Sequence, residues 1–129
     1  MIKKNWRDFE PFLAHDAGVD WRIFNNRHER FKDEQKQEGG YSAEKAVLDV
    51  IRFVSLAHLN PGKSYHAHSH DDHEEVYYII SGKGKIIIDG EESEIMDGDC
   101  VYIPLNAMHQ IVNDGDEKIE FLAFAGNTE

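Results

Sequence analysis

The chain has 129 residues, enough for one hydrophobic core and too few for two ordinary domains. With 25 acidic against 14 basic side chains it carries a formal charge of -11, which opposes phosphate backbones and anionic membranes; nucleic acid and membrane surfaces are excluded as partners, and a small-molecule substrate is expected. Cys100 is the only cysteine, so no intrachain disulfide forms, and the lack of an apolar run after the basic N-terminus predicts a cytoplasmic protein without a leader or a membrane span.

Taken in chain order, Trp6, Phe9, Phe12 and Leu13 form a loose helical stripe, and residues 19–24 alternate as a short strand. Residues 25–40 are mostly charged or amide and end in Gly39-Gly40, which predicts an exposed loop or solvated helix; a mobile lid is the sharper alternative. Residues 42–49 fit one helical turn. Residues 50–59, β-branched and aromatic and closed by Asn60-Pro61-Gly62, fit a strand. Further strands are expected at residues 64–69, 75–80, 83–88, 93–96, 100–103, 109–112 and 119–125. Asp89-Gly90 marks a two-residue hairpin, and the segments around Gly98 and Gly115 mark two more reversals. Cys100, beside Val101, is expected to be a small core residue. Short strands at this spacing predict an all-β sandwich or barrel, with residues 1–41 as an N-terminal extension and 42–129 as the barrel.

The chemistry concentrates at His66-Ala-His68-Ser-His70-Asp-Asp-His73-Glu-Glu75, four histidines and Glu75 within ten residues. Side chains two apart on a strand share a face, so His68 and His70 can meet one ion, and Glu75 can return after the Asp71-Asp72 turn. A further donor must come from elsewhere, and His109 is the only histidine downstream. His66 shares parity with His68 and His70, which makes it either a proton-transfer group in the pocket or a hydrogen-bonded rim residue. Tyr77 follows Glu75 by parity and offers a phenol to a substrate or a proton; Tyr102, Arg52 and Met108 are weaker candidates. His73, in the turn, is expected to be exposed. The bland alternative, a surface tract that collects stray metal or responds to pH, leaves His109 unexplained.

Two ordered motifs then carry a resemblance. Gly62, His68, His70, Glu75 and Gly82 are spaced as in the first motif of the cupins, and Gly98, Pro104, His109 and Asn113 as in the second. Asn106 stands where the family has glycine, and asparagine tolerates the positive φ that such a turn needs. The resemblance, over residues 50–125, implies a double-stranded β-helix, a jelly-roll barrel, holding one divalent transition metal ion on His68, His70, Glu75 and His109. Three imidazoles and one carboxylate suit iron, nickel, manganese, zinc or copper and leave coordination positions open. It also implies a metalloenzyme acting on a small organic molecule: oxygenase (dioxygenase) chemistry is slightly favoured by the ligand set, with Lewis-acid isomerase or lyase chemistry, with His66 or Tyr77 as catalytic group, close behind. A non-catalytic ligand-binding or sensing module is the alternative from another class. Single-domain cupins commonly pair through an outer sheet face, so a homodimer is expected.

Overall fold

The alternation read in residues 75–80 extends over a longer strand in the computed structural model, which describes residues 1–128. In β5 (His73–Ser81), His73, Glu75, Tyr77 and Ile79 are buried while Glu74, Tyr78 and Ile80 are exposed. That inner face continues across β10 (Ile119–Asn127) and β4 (Ile51–Leu59) to β2 (Gly18–Asn26). With β1 (Phe12–Ala14) and β8 (Cys100–Ile103) at its ends, this large sheet runs in the order β1-β2-β4-β10-β5-β8, and β3 (Ala46–Leu48) pairs with β2. The small sheet has the order β7 (Glu91–Met96), β6 (Lys83–Ile88), β9 (His109–Val112). Ile86, Ile95 and Ile111 from the small sheet meet Leu59, Ile79, Ile119 and Phe121 from the large one in a single core. The family-type architecture expected from the motifs, two sheets closed on one core, is present.

The expected turns form as their residues dictate. Asp89 and Gly90 both take positive φ, closing β6 onto β7 with Ile88 opposite Glu91. Asn106 adopts φ 64, so it does the work of the family's glycine.

Three segments differ from expectation. Pro11 stops the helical stripe of residues 6–13, leaving a 3-10 turn at Trp6–Asp8 before β1 begins. Residues 64–69 are not a continuous strand: Ser64 bridges Val112 and His68 bridges His109, so four steps on one side face three on the other. The extra residue interrupts the ladder and shifts side-chain parity between Tyr65 and His68. Cys100 is exposed rather than core, because β8 is the edge of its sheet.

Residues 1–41 supply β1 and β2 to the large sheet. The charged segment forms a 3-10 turn and α1 (Lys32–Glu38), a helix anchored by buried Phe31 and Gln35; the Gln35 amide oxygen accepts from Asn25 Nδ2 at 2.9 Å. No helix among the described residues is long and apolar enough to cross a membrane.

Candidate metal centre

His68 and His109 are brought together by two backbone hydrogen bonds, His68 N to His109 O at 3.1 Å and His109 N to His68 O at 2.8 Å, which set their ring centroids 4.2 Å apart. His70 adds a third ring, 4.9 Å from His68 and 5.3 Å from His109. The ligating nitrogens of the three lie within 4.8 Å of one another. Glu75 reaches the same point from β5: its Oε1 is 3.2 Å from His70 Nε2, and its Oε2 is 3.8 Å from His109 Nε2.

The tautomers are fixed by the backbone. His68 Nδ1 faces the carbonyl of His66 and His109 Nδ1 that of Ala107, each at 2.9 Å. A carbonyl only accepts, so both Nδ1 atoms carry the proton and both Nε2 atoms present a lone pair. Nε2 of His68, His70 and His109 is in each case buried and makes no well-aligned hydrogen bond among the described residues, although the Glu75 carboxylate stands 3.2 Å from that of His70. Orphaned buried nitrogens are rare, and three converging beside a carboxylate fit a metal ion. Burial pushes the His68 imidazole down to about 4 and lowers that of His109, so both are neutral at pH 7. Burial alone would raise the Glu75 carboxyl, but contacts with His70 and His73 outweigh it and hold the group well below the usual carboxylate range.

His73 is buried, contrary to the expected exposure. Its Nδ1 meets Asp72 Oδ1 at 2.7 Å and its Nε2 meets Glu75 Oε1 at 3.2 Å. Arg52 Nη1 donates to Asp72 at 3.2 Å, backing this chain from outside the site. The signal was in the sequence: His73 has the parity of Glu75, Tyr77 and Ile79. His66 lies at the rim, exposed, with Nδ1 3.1 Å from Asp16, because the parity slip after Tyr65 turns it outward. His15 has no sequence signal. It sits in the β1–β2 turn with φ 51 and stacks on His68 with centroids 3.8 Å apart, and burial lowers it to about 3.

Beside the histidines opens a cavity of about 130 Å³ lined by His70, Glu75, Tyr77, Asp20, Arg22 and Glu38 among others. Its floor follows from strand register: Arg22, Ser55, Ala123 and Tyr77 lie in one row across β2, β4, β10 and β5, and Asp20, Ala57 and Phe121 in the next. Small Ser55, Ala57 and Ala123 leave the space that larger residues would fill. Burial pushes the Asp20 carboxyl up to about 7, and its Oδ1 accepts from Tyr65 Oη at 3.3 Å. Tyr77 is buried here, whereas Tyr102 and Met108 are exposed on the surface and Arg52 is turned away toward Asp72, Glu34 and Asn127.

The model of the Cupin domain family (Cupin_2) matches residues 55–125. A glucose-6-phosphate isomerase of Thermococcus litoralis is 36% identical over 140 aligned residues, covering 90% of this chain and 74% of that one. An oxalate-binding protein of Thermotoga maritima is 32% identical over 81 residues, covering 63% of this chain and 67% of that one. Among solved structures, a protein described as a predicted oxalate decarboxylase from Thermotoga maritima superposes with a TM-score of 0.72 at 20% identity, covering 98% of this chain and 99% of that one, a likeness of fold. With both motifs inside the matched residues and two sheets closed on one core, the chain belongs to the cupin superfamily, in the Cupin_2 family.

Proposed function

We propose that this cupin holds one divalent first-row metal ion on His68, His70, Glu75 and His109 and acts on a small, oxygen-rich organic molecule as an isomerase or lyase. The observation that carries it is the convergence of three buried, unpartnered Nε2 atoms beside the Glu75 carboxylate. A bound ion supplies Lewis acidity, polarising a hydroxyl or carbonyl oxygen of the substrate. The cavity of about 130 Å³, below the roughly 300–1,000 Å³ of drug-sized pockets, fits a molecule of a few carbons. Asp20, with its carboxyl at about 7, is able to take up and return a proton at neutral pH. Burial keeps the Tyr77 phenol well above its ordinary value, so it stays protonated and donates. His66, outside the cavity lining, takes no part in this scheme.

Two relatives bear on the reaction and on the ligand. One is named for isomerising glucose 6-phosphate and the other for binding oxalate, and both of those compounds are small oxygen-rich anions. The oxygenase chemistry that the ligand set alone favours has no counterpart in these names. The oxalate-binding relative also supports a second reading, capture of a ligand without turnover. Elemental analysis after loading with manganese, iron, nickel or zinc is expected to give one ion per chain, lost in His70→Ala and His109→Ala. A screen of sugar phosphates, hydroxy acids and dicarboxylates then separates the classes. Turnover under argon supports an isomerase or lyase, substrate-dependent oxygen uptake refutes it in favour of an oxygenase, and saturable binding without turnover supports the capture protein.

A further inference from the structure

Arg22 is 4% exposed, yet it lines the cavity that opens beside the candidate metal centre, where His70 and Glu75 face it. Its Nε donates to Ser55 Oγ at 2.7 Å, and Nη2 reaches Glu38 Oε2 at 3.4 Å, a long contact for an ion pair. Nη1 has no partner among the described residues and no access to solvent. The guanidinium lies over two aromatic rings, with Cζ 4.2 Å from the Phe53 centroid and 5.3 Å from that of Phe12, contacts that help to position it. A guanidinium offers a carboxylate two edges for paired hydrogen bonds. The edge formed by Nη1 and Nη2 is half used. A buried N–H left unpaired is costly, and an arriving anion would satisfy it.

Among the described residues, the carboxylate bonded to that edge is Glu38, from the end of α1. Glu38 is followed by Gly39 and Gly40, both with positive φ, and a Cβ on Gly40 would come 2.8 Å from Arg22 Cβ. The chain therefore crosses directly over Arg22, and the Glu38 side chain is 39% exposed, with the long 3.4 Å contact to Nη2 as its bond to the guanidinium.

We propose that Arg22 anchors a second anionic group of the substrate, a carboxylate at the end remote from the metal, and that Glu38 keeps that place in the free protein. The inference rests on the metal-binding function proposed above and narrows its substrate class to small molecules with one chelating end and one anionic end. It assigns β2 of the N-terminal segment to specificity.

The test compares malonate, succinate and glutarate with their monoamides by calorimetric titration of manganese-loaded protein, after metal content has been measured. Wild type is expected to prefer at least one diacid over its monoamide by about tenfold or more, the size of a charge-assisted pair. Arg22→Gln is expected to bring that ratio close to one while retaining the ion, and Glu38→Gln to tighten the diacid several-fold by removing the competing carboxylate. Should Arg22→Gln fail to fold, Arg22→Lys, which keeps the charge and loses the fork, is expected to lower the ratio, and Glu38→Gln decides independently. Persistence of the preference in Arg22→Gln, no preference for any diacid in wild type, or no change in Glu38→Gln would overturn the proposal. If wild type takes up no metal, the metal-binding function fails instead, and the same ratios on metal-free protein decide Arg22.

Discussion

Asp20→Asn isolates the electrostatics of the cavity floor. Asp20 is 7% exposed, accepts a hydrogen bond from Tyr65, and is pushed by burial from 3.8 to about 7. A carboxyl whose folded value is raised takes up a proton on folding. Its favourable contribution is complete below the unfolded value and is lost as pH rises through the folded one. At about 1.4 kcal/mol per pH unit, the span from 3.8 to about 7 sets an upper bound of about 4 kcal/mol on the cost of ionising Asp20 in the folded state. Rearrangement around the charge reduces this to about 2–4 kcal/mol. Asparagine has the same shape, keeps an oxygen for Tyr65 and never ionises. Urea unfolding of the metal-free proteins is therefore expected to show Asp20→Asn more stable than wild type by about 2–4 kcal/mol near pH 8.5, and within about 0.5 kcal/mol near pH 4. The change in the gap between the two pH values reports the ionisation of Asp20 together with its coupling to Arg22, Glu75 and Glu38. A gap of the same size at both pH values would refute the account and make the cavity floor neutral ground.

Metal binding itself has a thermal signature: an ion at about a hundredfold over its Kd stabilises by about 2.7 kcal/mol, or about 10 °C in a chain of this size, reversed by chelator and absent in His109→Ala. A melting temperature unmoved by any first-row ion would contradict the site. Since burial lowers His68 to about 4 and His109 below its ordinary value, protons compete only in acid, and the ion is expected to stay bound at about pH 5.5; release with a midpoint at or above about 6.5 would mean exposed imidazoles. His73→Phe keeps the ring volume and removes both hydrogen bonds, so competition with a chelator is expected to show metal affinity about 10–100-fold weaker; equal affinity would deny His73 its hold on Glu75. In Gly84→Ala the new Cβ would lie 2.4 Å from the Val112 carbonyl oxygen, forcing β6 from β9, and urea unfolding is expected to show a loss of about 1–3 kcal/mol with metal stoichiometry intact.

The barrel was legible because its punctuation is local. Asp89-Gly90, the turn at Gly98 and the Asx turn in which Asn113 Oδ1 accepts from Gly115 N at 3.1 Å are each dictated by two or three neighbouring residues, and the strands between them have nowhere else to go. The convergence of His68, His70, Glu75 and His109 was legible because the two motifs that hold them keep strict spacing. Parity arguments failed where the backbone inserts a residue. The extra step between Ser64 and His68 turns His66 outward, and no pattern in Ser64-Tyr65-His66-Ala67-His68 announces it. His15 was illegible for another reason: its contact with His68 joins residues more than fifty positions apart, through a turn whose left-handed φ is set by how β1 returns onto β2.

β2 shows how a correct strand can carry an inverted face. Alternation in residues 19–24 identifies the strand, and the ordinary rule would bury Val19, Trp21 and Ile23. The structure buries Asp20 and Arg22 instead and leaves the apolar set half covered on the outer face, where Trp21 packs against Trp6 at 5.0 Å between centroids and against His58 at 4.6 Å. A core formed for stability alone would not hold a guanidinium and a carboxyl on its inner face, because each costs several kcal/mol to desolvate. Here that face borders the cavity, with Arg22 bonded to Ser55 and Glu38 and Asp20 accepting from Tyr65. In a sheet with β5 beside a candidate metal centre, inward polar residues across the same face are therefore where ligand recognition is expected, and β2 carries them.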